Sequence, residues 1–186
     1  DISSGTVDIG SGQIATLCQI AAAELGVGMD KVRMVYADTD TVPFDAPTHA
    51  SRGTYSSGLA VKAAAAQVRK RVFEIAAGLM EANPDDLDIS NGQVYVKGSP
   101  HSARPLTDII HIAESPFIMD TEQGPRPSSP PEHKGTIIGS SSLAPPENPS
   151  PATALFVEGE ADTETGQLAV PRCVYAHDLG RLINPN

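Results

Sequence analysis

The sequence lacks tryptophan and has few other aromatic residues, 4 tyrosines and 4 phenylalanines among 186 residues. Basic residues are also scarce, since 13 lysines and arginines stand against 23 aspartates and glutamates and give a formal charge of −10. Nucleic acids and anionic membrane surfaces bind basic patches, so neither is expected as a main partner. No run of residues approaches the roughly 20 consecutive apolar residues of a membrane-spanning helix, and the N-terminus has no signal-peptide layout. We therefore expect a cytoplasmic chain and leave a periplasmic location open.

Cysteine and histidine give no sign of a metal site or a disulfide framework. The cysteines, Cys18 and Cys173, lie far apart without a CxxC pair, and Cys18 sits among apolar residues typical of a core. The 5 histidines have neither HxxxH nor HExxH spacing, so we expect no metal held directly by this chain. The histidines are His49, His101, His111, His133 and His177.

Proline divides the chain into three stretches, 1–99, 100–151 and 152–186. The middle stretch holds eleven of the 16 prolines, so we expect mostly extended loop there. Apolar residues at three- and four-residue steps predict two main helices, while alternation and Asn91-Gly92 predict strands and a hairpin. The predicted helices are 12–25 and 55–81, and the predicted strands are 5–9, 31–37, 87–90, 93–97, 154–163 and 168–177.

Together these patterns predict an α+β fold. Residues 1–99 are expected to form one lobe of mixed β-α-β units, a long second helix and a hairpin. The stretch 100–151 is expected to connect this lobe to residues 152–186, an antiparallel strand pair of the same domain.

The loop before the first helix is a candidate ligand site. Small residues there let a backbone approach a ligand, and the free N–H groups at a helix start suit an anion such as phosphate. Gly10, Gly12 and Ala15 fit GxGxxA, with Asp38 as a possible ribose partner, which is the pattern of dinucleotide binding. A tight turn that needs glycine for its dihedral angles explains the same residues equally well.

A second loop, residues 47–58, leads into the long helix. It is rich in small and hydroxyl residues and contains Arg52, whose guanidinium suits phosphate or carboxylate. Two such loops suggest a ligand with anionic or polar groups at two points, although an ordinary Ser/Thr-capped helix start accounts for this loop taken alone.

Short blocks of sequence at both ends of the chain form an ordered set. They resemble the molybdopterin-binding subunit of the xanthine dehydrogenase and aldehyde oxidase family, and they cover most of the chain outside the proline-rich middle. The blocks are GTVDIGSG at 5–12, TLCQIAAAELG at 16–26, DT at 38–39, THASR at 48–52, SGLAV at 57–61, VEGEADTETG at 157–166 and AHDLGRLINP at 176–185.

The resemblance implies part of the cofactor-binding domain of an oxidoreductase, a molybdenum hydroxylase. In such enzymes molybdenum is carried by molybdopterin, often the cytosine dinucleotide in bacteria, and the substrate is an N-heterocycle or an aldehyde. Electrons leave through iron–sulfur clusters and commonly a flavin on other domains or subunits. The implied partners are therefore those domains and the remaining lobes of the large subunit.

The resemblance also assigns cofactor-binding roles to the two loops, where backbone and hydroxyl groups approach the pterin and the oxygen ligands of the metal. These residues are Ser11, Gly12 and Gln13 in the first loop, and Ala50, Ser51, Arg52, Gly53 and Thr54 in the second.

Two departures from the family pattern affect the expected chemistry. The first loop of the family often reads GQG, whereas Ser11 stands at the glutamine position and Gln13 lies two places further on. The family's glutamate base follows the INP motif; no residue here matches it, and neither Glu158 nor Glu160 is assigned that role. We therefore expect a piece of a larger enzyme that lacks the catalytic base. Alone, it is expected to bind no cofactor tightly, because a pocket built from several segments loses most of its contacts.

Two alternative functions remain open at this point. An NAD-binding domain would use Gly10, Gly12 and Ala15 and would require a parallel, doubly wound sheet. A non-catalytic interaction module would use the proline-rich stretch 100–151 as a docking arm for partner subunits.

Overall fold

A computed structural model describes residues 1–115, 117–120, 124–127, 135–147 and 150–183. Part of the proline-rich stretch, Ser128-Ser129-Pro130-Pro131, lies outside the described residues, as do His133 and the Asn184-Pro185 part of the C-terminal motif. The chain separates into two compact units, residues 1–145 and residues 146–186, which are described one at a time.

Three α-helices lie in the described part of the chain: α1 at Gln13–Leu25, α2 at Gly58–Met80 and α3 at Leu106–Glu114. The first two confirm the predicted helices, except that a π-helical turn at Gly53–Ser57 precedes α2. Gly26 ends α1 in the left-handed region, with φ of 59°, because a residue without Cβ accepts that conformation most easily. None of these described helices has the length and apolar composition that a bilayer crossing requires.

The strands form four small sheets. Only β1 and β2 pair in parallel, and every other pairing among the described residues is antiparallel. This confirms the α+β class and contradicts the doubly wound sheet required for NAD binding. The strands are β1 Ile2–Ser3, β2 Met34–Val35, β3 Leu87–Ser90, β4 Gln93–Val96, β5 Ser99–Pro105, β6 Phe117–Asp120, β7 Gly124–Pro127, β8 Ala152–Ala161 and β9 Leu168–Asp178.

The predicted β-α-β unit is present, but its first strand is β1 and not residues 5–9. The chain leaves the sheet after Ser4 because Gly5 packs directly on the backbone of the 43–45 segment. A Cβ at Gly5 would lie 2.3 Å from the carbonyl oxygen of Pro43, closer than any real contact. Thr6 is buried without strand pairing, and its hydroxyl donates to Asp45, so the prediction of a strand at 5–9 was wrong.

The Asn91-Gly92 hairpin is confirmed, with φ of 51° and 70° at its two turn residues and Leu87 opposite Val96. Strand β5 extends this hairpin to three strands, and α3 packs against them. Sequence reasoning missed both elements, because the prolines at the ends of β5 and after α3 marked the whole middle stretch as loop. The core of this part consists of Val72, Ile75, Ala76, Leu87, Ile89, Val94, Ile109 and Ala113.

Helices α1 and α2 enclose a second core cluster that lies beside the two candidate loops. It contains Leu17, Ala21 and Val61, with Ile2 and Met34 of the parallel strands packed against it. Cys18 is buried on the same helix, as its sequence surroundings predicted, and burial raises the pKa of its thiol. This cluster fixes the start of each helix, and therefore each loop, relative to the β1–β2 pair.

The second unit is built on the antiparallel hairpin of β8 and β9, which confirms the predicted C-terminal strand pair. The turn between the strands is closed by the carboxylate of Asp162, which accepts hydrogen bonds from the N–H groups of Glu164 and Thr165 at 2.8 and 3.2 Å. Phe156 is opposite Val174 and Leu155 is opposite Tyr175, so adjacent pairs place large apolar side chains on both faces.

Candidate functional site

The first loop, residues 8–13, ends at the N-terminus of α1. Gly10 and Gly12 have φ of 97° and 70°, a region that residues with a Cβ rarely adopt. A Cβ built on either glycine meets no other atom within 4 Å, so the glycines are required by backbone conformation and not by crowding. The loop is therefore an exposed, shaped backbone surface that another molecule can approach closely.

The carboxylate of Asp8 occupies the N–H groups of this loop. Its Oδ1 accepts hydrogen bonds from Gly10 and Gly12 at 2.9 and 3.2 Å, and its Oδ2 accepts one from Ile14 at 3.4 Å. The Gly10 hydrogen bond is the main cause that holds the pKa of Asp8 below its usual value. The expectation that these N–H groups are free to bind phosphate was therefore wrong. An NAD-binding domain would need them for the pyrophosphate, so this alternative has no anion site here.

Gln13 is the most buried polar side chain of the first loop. Only 3% of its surface is exposed, and its Nε2 has no hydrogen-bond partner. A buried amide donor without a partner is destabilising by about 1–3 kcal/mol, so a water or a ligand atom is its natural complement. Among the loop residues, Gln13 is thus the one whose side chain lacks a hydrogen-bond acceptor that a bound group could supply.

The second loop meets the first at Gln13. A Cβ built on Gly53 would lie 2.5 Å from Oε1 and 2.6 Å from Nε2 of Gln13, so only glycine allows this approach. Ala50 and Ser51, just before it, have φ of 49° and 56°. Two successive residues with side chains in the left-handed region store roughly 1 kcal/mol or more each, a strain that persists only where the surroundings impose it.

Arg52 does not point its cation at an open surface. Its Nη1 and Nη2 both donate to Asp45 Oδ1 at 3.2 Å, and Nη1 also donates to the carbonyl of Ala46 at 2.9 Å. Partial burial acts to raise the pKa of Asp45, but hydrogen bonds from Thr6 and Arg52 outweigh it and hold that pKa below its usual value. The guanidinium of Arg52 therefore binds a carboxylate of its own chain, that of Asp45, and not one from a ligand.

The structure brings some of the predicted residues into contact and leaves others apart. Gln13 and Gly53 touch, whereas Ser11, Gly12, Ala50, Ser51 and Thr54 lie exposed on the two loops. Asp38 caps its own turn by accepting a hydrogen bond from the N–H of Asp40 at 3.0 Å. In the part of the chain that the structure describes, no three histidine, cysteine or acidic side chains gather as a metal site would require.

Sequence reasoning missed Asp8 and Asp45. An aspartate two residues before a glycine turn often accepts hydrogen bonds from the following N–H groups, so Asp8 carried a recognisable signal. Asp45 carried none, because its partner Thr6 is 39 positions away and only the fold brings the two together.

Comparisons with known proteins all identify the same family of molybdenum-dependent proteins. The chain matches the molybdopterin cofactor-binding domain family over residues 1–186. It is 26% identical over 186 residues to a putative xanthine dehydrogenase molybdenum-binding subunit of Escherichia coli K12, covering 100% of this chain and 23% of that protein. It is 28% identical over 181 residues to the carbon monoxide dehydrogenase large chain of Afipia carboxidovorans, covering 97% of this chain and 21% of that protein.

Solved structures agree with the sequence comparisons. A copper- and molybdenum-containing carbon monoxide dehydrogenase matches with a TM-score of 0.78 and 28% identity, over 97% of this chain and 21% of that one. Quinoline 2-oxidoreductase from Pseudomonas putida 86 matches with a TM-score of 0.76 and 28% identity, over 96% and 22%. The chain therefore spans about a fifth of the length of the relatives it matches.

Proposed function

The chain belongs to the molybdopterin cofactor-binding domain family, and on that basis we propose that its two loops form one wall of a molybdenum-cofactor site in a larger hydroxylase. The observation that carries this proposal is the buried, unpartnered Nε2 of Gln13 at the point where the loops meet. The proposed wall consists of Ser11, Gly12 and Gln13 from the first loop and Ala50, Ser51, Arg52, Gly53 and Thr54 from the second.

The residues of the wall fit an uncharged or oxygen-rich part of such a group better than its phosphate. Asp8 already takes three N–H groups of the first loop, and Asp45 takes the Arg52 guanidinium. The donors left for a ligand are neutral: the Gln13 amide, the Ser11 and Ser51 hydroxyls and the Thr54 hydroxyl. A phosphate, or the nucleotide of a cytosine dinucleotide form, would then be bound by other segments.

When bound, the molybdenum–pterin group supplies the redox and oxygen-transfer chemistry. The chain's own contribution is to bind and orient. The open glycine backbone at Gly10 and Gly12 admits close approach, Gln13 donates a hydrogen bond from a water-excluded position, and Gly53 keeps the two loops in contact. Donors that are already fixed and desolvated need no reorganisation, which makes them effective partners for developing charge.

The resemblance to the family supports a wider proposal about the intact protein. We propose that the intact protein is cytoplasmic and works with iron–sulfur and flavin domains or subunits on a small N-heterocycle or aldehyde. The glutamate base would lie outside these 186 residues. The isolated chain would not retain cofactor, because a single wall leaves most of the group exposed to water.

The proposal is tested by measuring molybdenum and pterin in the full-length protein that contains this chain, purified from a host that makes the cofactor. We expect about one molybdenum per protein, and a loss of roughly fivefold to tenfold in cofactor affinity for Gln13→Ala, the worth of one buried hydrogen bond. Gln19→Ala, on the same helix and away from the loops, is the matched control and is expected to keep its cofactor. A wild-type protein without molybdenum, or equal retention in both variants, would refute the proposal.

A further inference from the structure

One side chain, Asp45, joins three separate segments beside the proposed wall. Its Oδ2 accepts hydrogen bonds from the hydroxyl of Thr6 at 2.5 Å and of Ser57 at 3.3 Å. Its Oδ1 accepts from the N–H of Ala46 at 2.8 Å and from both terminal nitrogens of Arg52 at 3.2 Å. We call Thr6, Asp45, Arg52 and Ser57 the Asp45 network.

The network is largely shielded from water. Thr6 and Ser57 are 3% and 7% exposed, and the side chains of Asp45 and Arg52 are 20% and 25% exposed. Shielded ion pairs and charged hydrogen bonds hold their geometry more strictly than surface pairs, because breaking one leaves a charge without compensation. The carboxylate therefore fixes the positions of the groups around it.

The segment that the network encloses is the strained one. Ala50 and Ser51, both in the left-handed region, lie between Asp45 and the π-helical turn that carries Gly53 and Ser57. Arg52 follows the strained pair directly and is tied to Asp45 by its guanidinium. Strained backbone persists where neighbouring contacts impose it, and here the contacts before and after the pair converge on one carboxylate.

We propose that Asp45 is a positioning residue that holds residues 50–54 in the shape required at the cofactor wall, acting through Arg52 and Ser57 and without touching the ligand. This role rests on the proposed function, because it assumes that residues 50–54 face a cofactor. The contacts of Asp45 themselves lie within the chain. Asp45 thus has the role for the second loop that Asp8 has for the first.

Hydrogen exchange in the full-length protein tests the inference locally. The N–H of Arg52 donates to the carbonyl of His49, and that of Gly58 donates to the carbonyls of Thr54 and Tyr55, so these amides report the loop and turn. In Asp45→Ala we expect exchange in residues 52–58 to be faster by at least about tenfold, with exchange in residues 62–76 of α2 unchanged. In Asp45→Asn, which keeps a neutral acceptor for Arg52, we expect a smaller increase.

Two further variants keep the test decisive. Arg52→Gln is expected to accelerate exchange over the same residues, even if Asp45→Ala does not fold, and Asp40→Ala, an exposed aspartate of the same segment, is the matched control. Unchanged exchange in residues 52–58, or equal acceleration throughout α2, would overturn the positioning role. Molybdenum content of the wild type reports the proposed function separately, so failure of either claim is recognisable without the other.

Discussion

At the scale of single residues, the site is built on contacts that tolerate no added atom. Gly53 approaches the Gln13 carboxamide so closely that a methyl group in its place would lie 2.5–2.7 Å from three of its atoms. Because Gln13 is 3% exposed, a methyl group at residue 53 would have to displace its carboxamide from a buried position. The contact between the two loops therefore depends on the absence of a side chain at residue 53.

Replacing this glycine gives a sharp comparison. Gly53→Ala is expected to push Gln13 out of place and to lower molybdenum retention by the full-length protein at least as much as Gln13→Ala. Gly78→Ala, in the last turn of α2 where a Cβ meets no atom within 4 Å, is expected to stabilise by up to about 0.5–1 kcal/mol and to keep the metal. Metal analysis and thermal unfolding of the two variants check this, and equal metal loss in both would count against the loop contact.

Residue-scale features differ in how far they can be read from the sequence. Gly10 and Gly12 are recognisable because loop, helix start and glycine pattern are all local. The Gln13–Gly53 contact and the Asp45 network were not predictable, since they join residues 40 and 39 positions apart through the packing of α1, α2 and the β1–β2 pair. The resemblance to a family predicts that both loops approach one cofactor, but it does not give the contact between Gln13 and Gly53.

At the scale of elements, Arg69 fastens α2 to its neighbours. Its Nη2 lies 2.8 Å from Asp88 Oδ1 at β3, its Nη1 lies 3.8 Å from Glu24 Oε1 of α1, and its guanidinium is 5.1 Å from the ring centre of Phe73. Each contact alone contributes little to the free energy of unfolding because these side chains are partly exposed to water, but together the contacts join two helices and a sheet. Arg69 therefore holds the middle of α2 against the end of α1 and against β3.

Removing the Arg69 cation is expected to loosen the helix pair. Arg69→Met keeps much of the aliphatic stem. We expect it to lower the free energy of opening of amides in α1 and α2 by about 1–2 kcal/mol, the sum of one good ion pair and a cation–π contact. Hydrogen exchange of amides in α1 and α2 of the full-length protein measures this. Lys70→Met, the exposed neighbour on α2, should leave protection unchanged; a similar loss there would mean that charge alone and not the contacts of Arg69 is responsible.

Elements with strong periodicity or local turn chemistry were predicted well. Helices α1 and α2 follow from apolar steps of three and four residues, and the β3–β4 hairpin follows from Asn91-Gly92. Helix α3 was missed, although Leu106, Ile109 and Ala113 have helical spacing, because the surrounding prolines dominated the composition of the stretch. The position of β1 was missed because tertiary packing at Gly5, and not strand propensity, decides where the chain leaves the sheet.

At the scale of the whole molecule, the second unit exposes apolar side chains of a kind that strands usually bury. Large apolar side chains of β8 and β9 are exposed, with Leu155 at 58% and Phe156 at 68%, and they occur on both faces of the hairpin. An isolated two-stranded hairpin is marginally stable at best, and apolar residues on both faces are typical of strands covered on both sides. We therefore expect a further segment or subunit to cover this hairpin.

The location of molybdenum in the full-length protein tests the proposed cofactor wall directly. An anomalous difference map, recorded from crystals at the molybdenum absorption edge, shows the metal without reference to activity. We predict one peak beside the two loops, on the side where Gln13 meets Gly53, with residues 11–13 and 50–54 facing it. A peak remote from both loops, or crystals of active protein with no molybdenum peak, would mean that these loops do not form a cofactor wall.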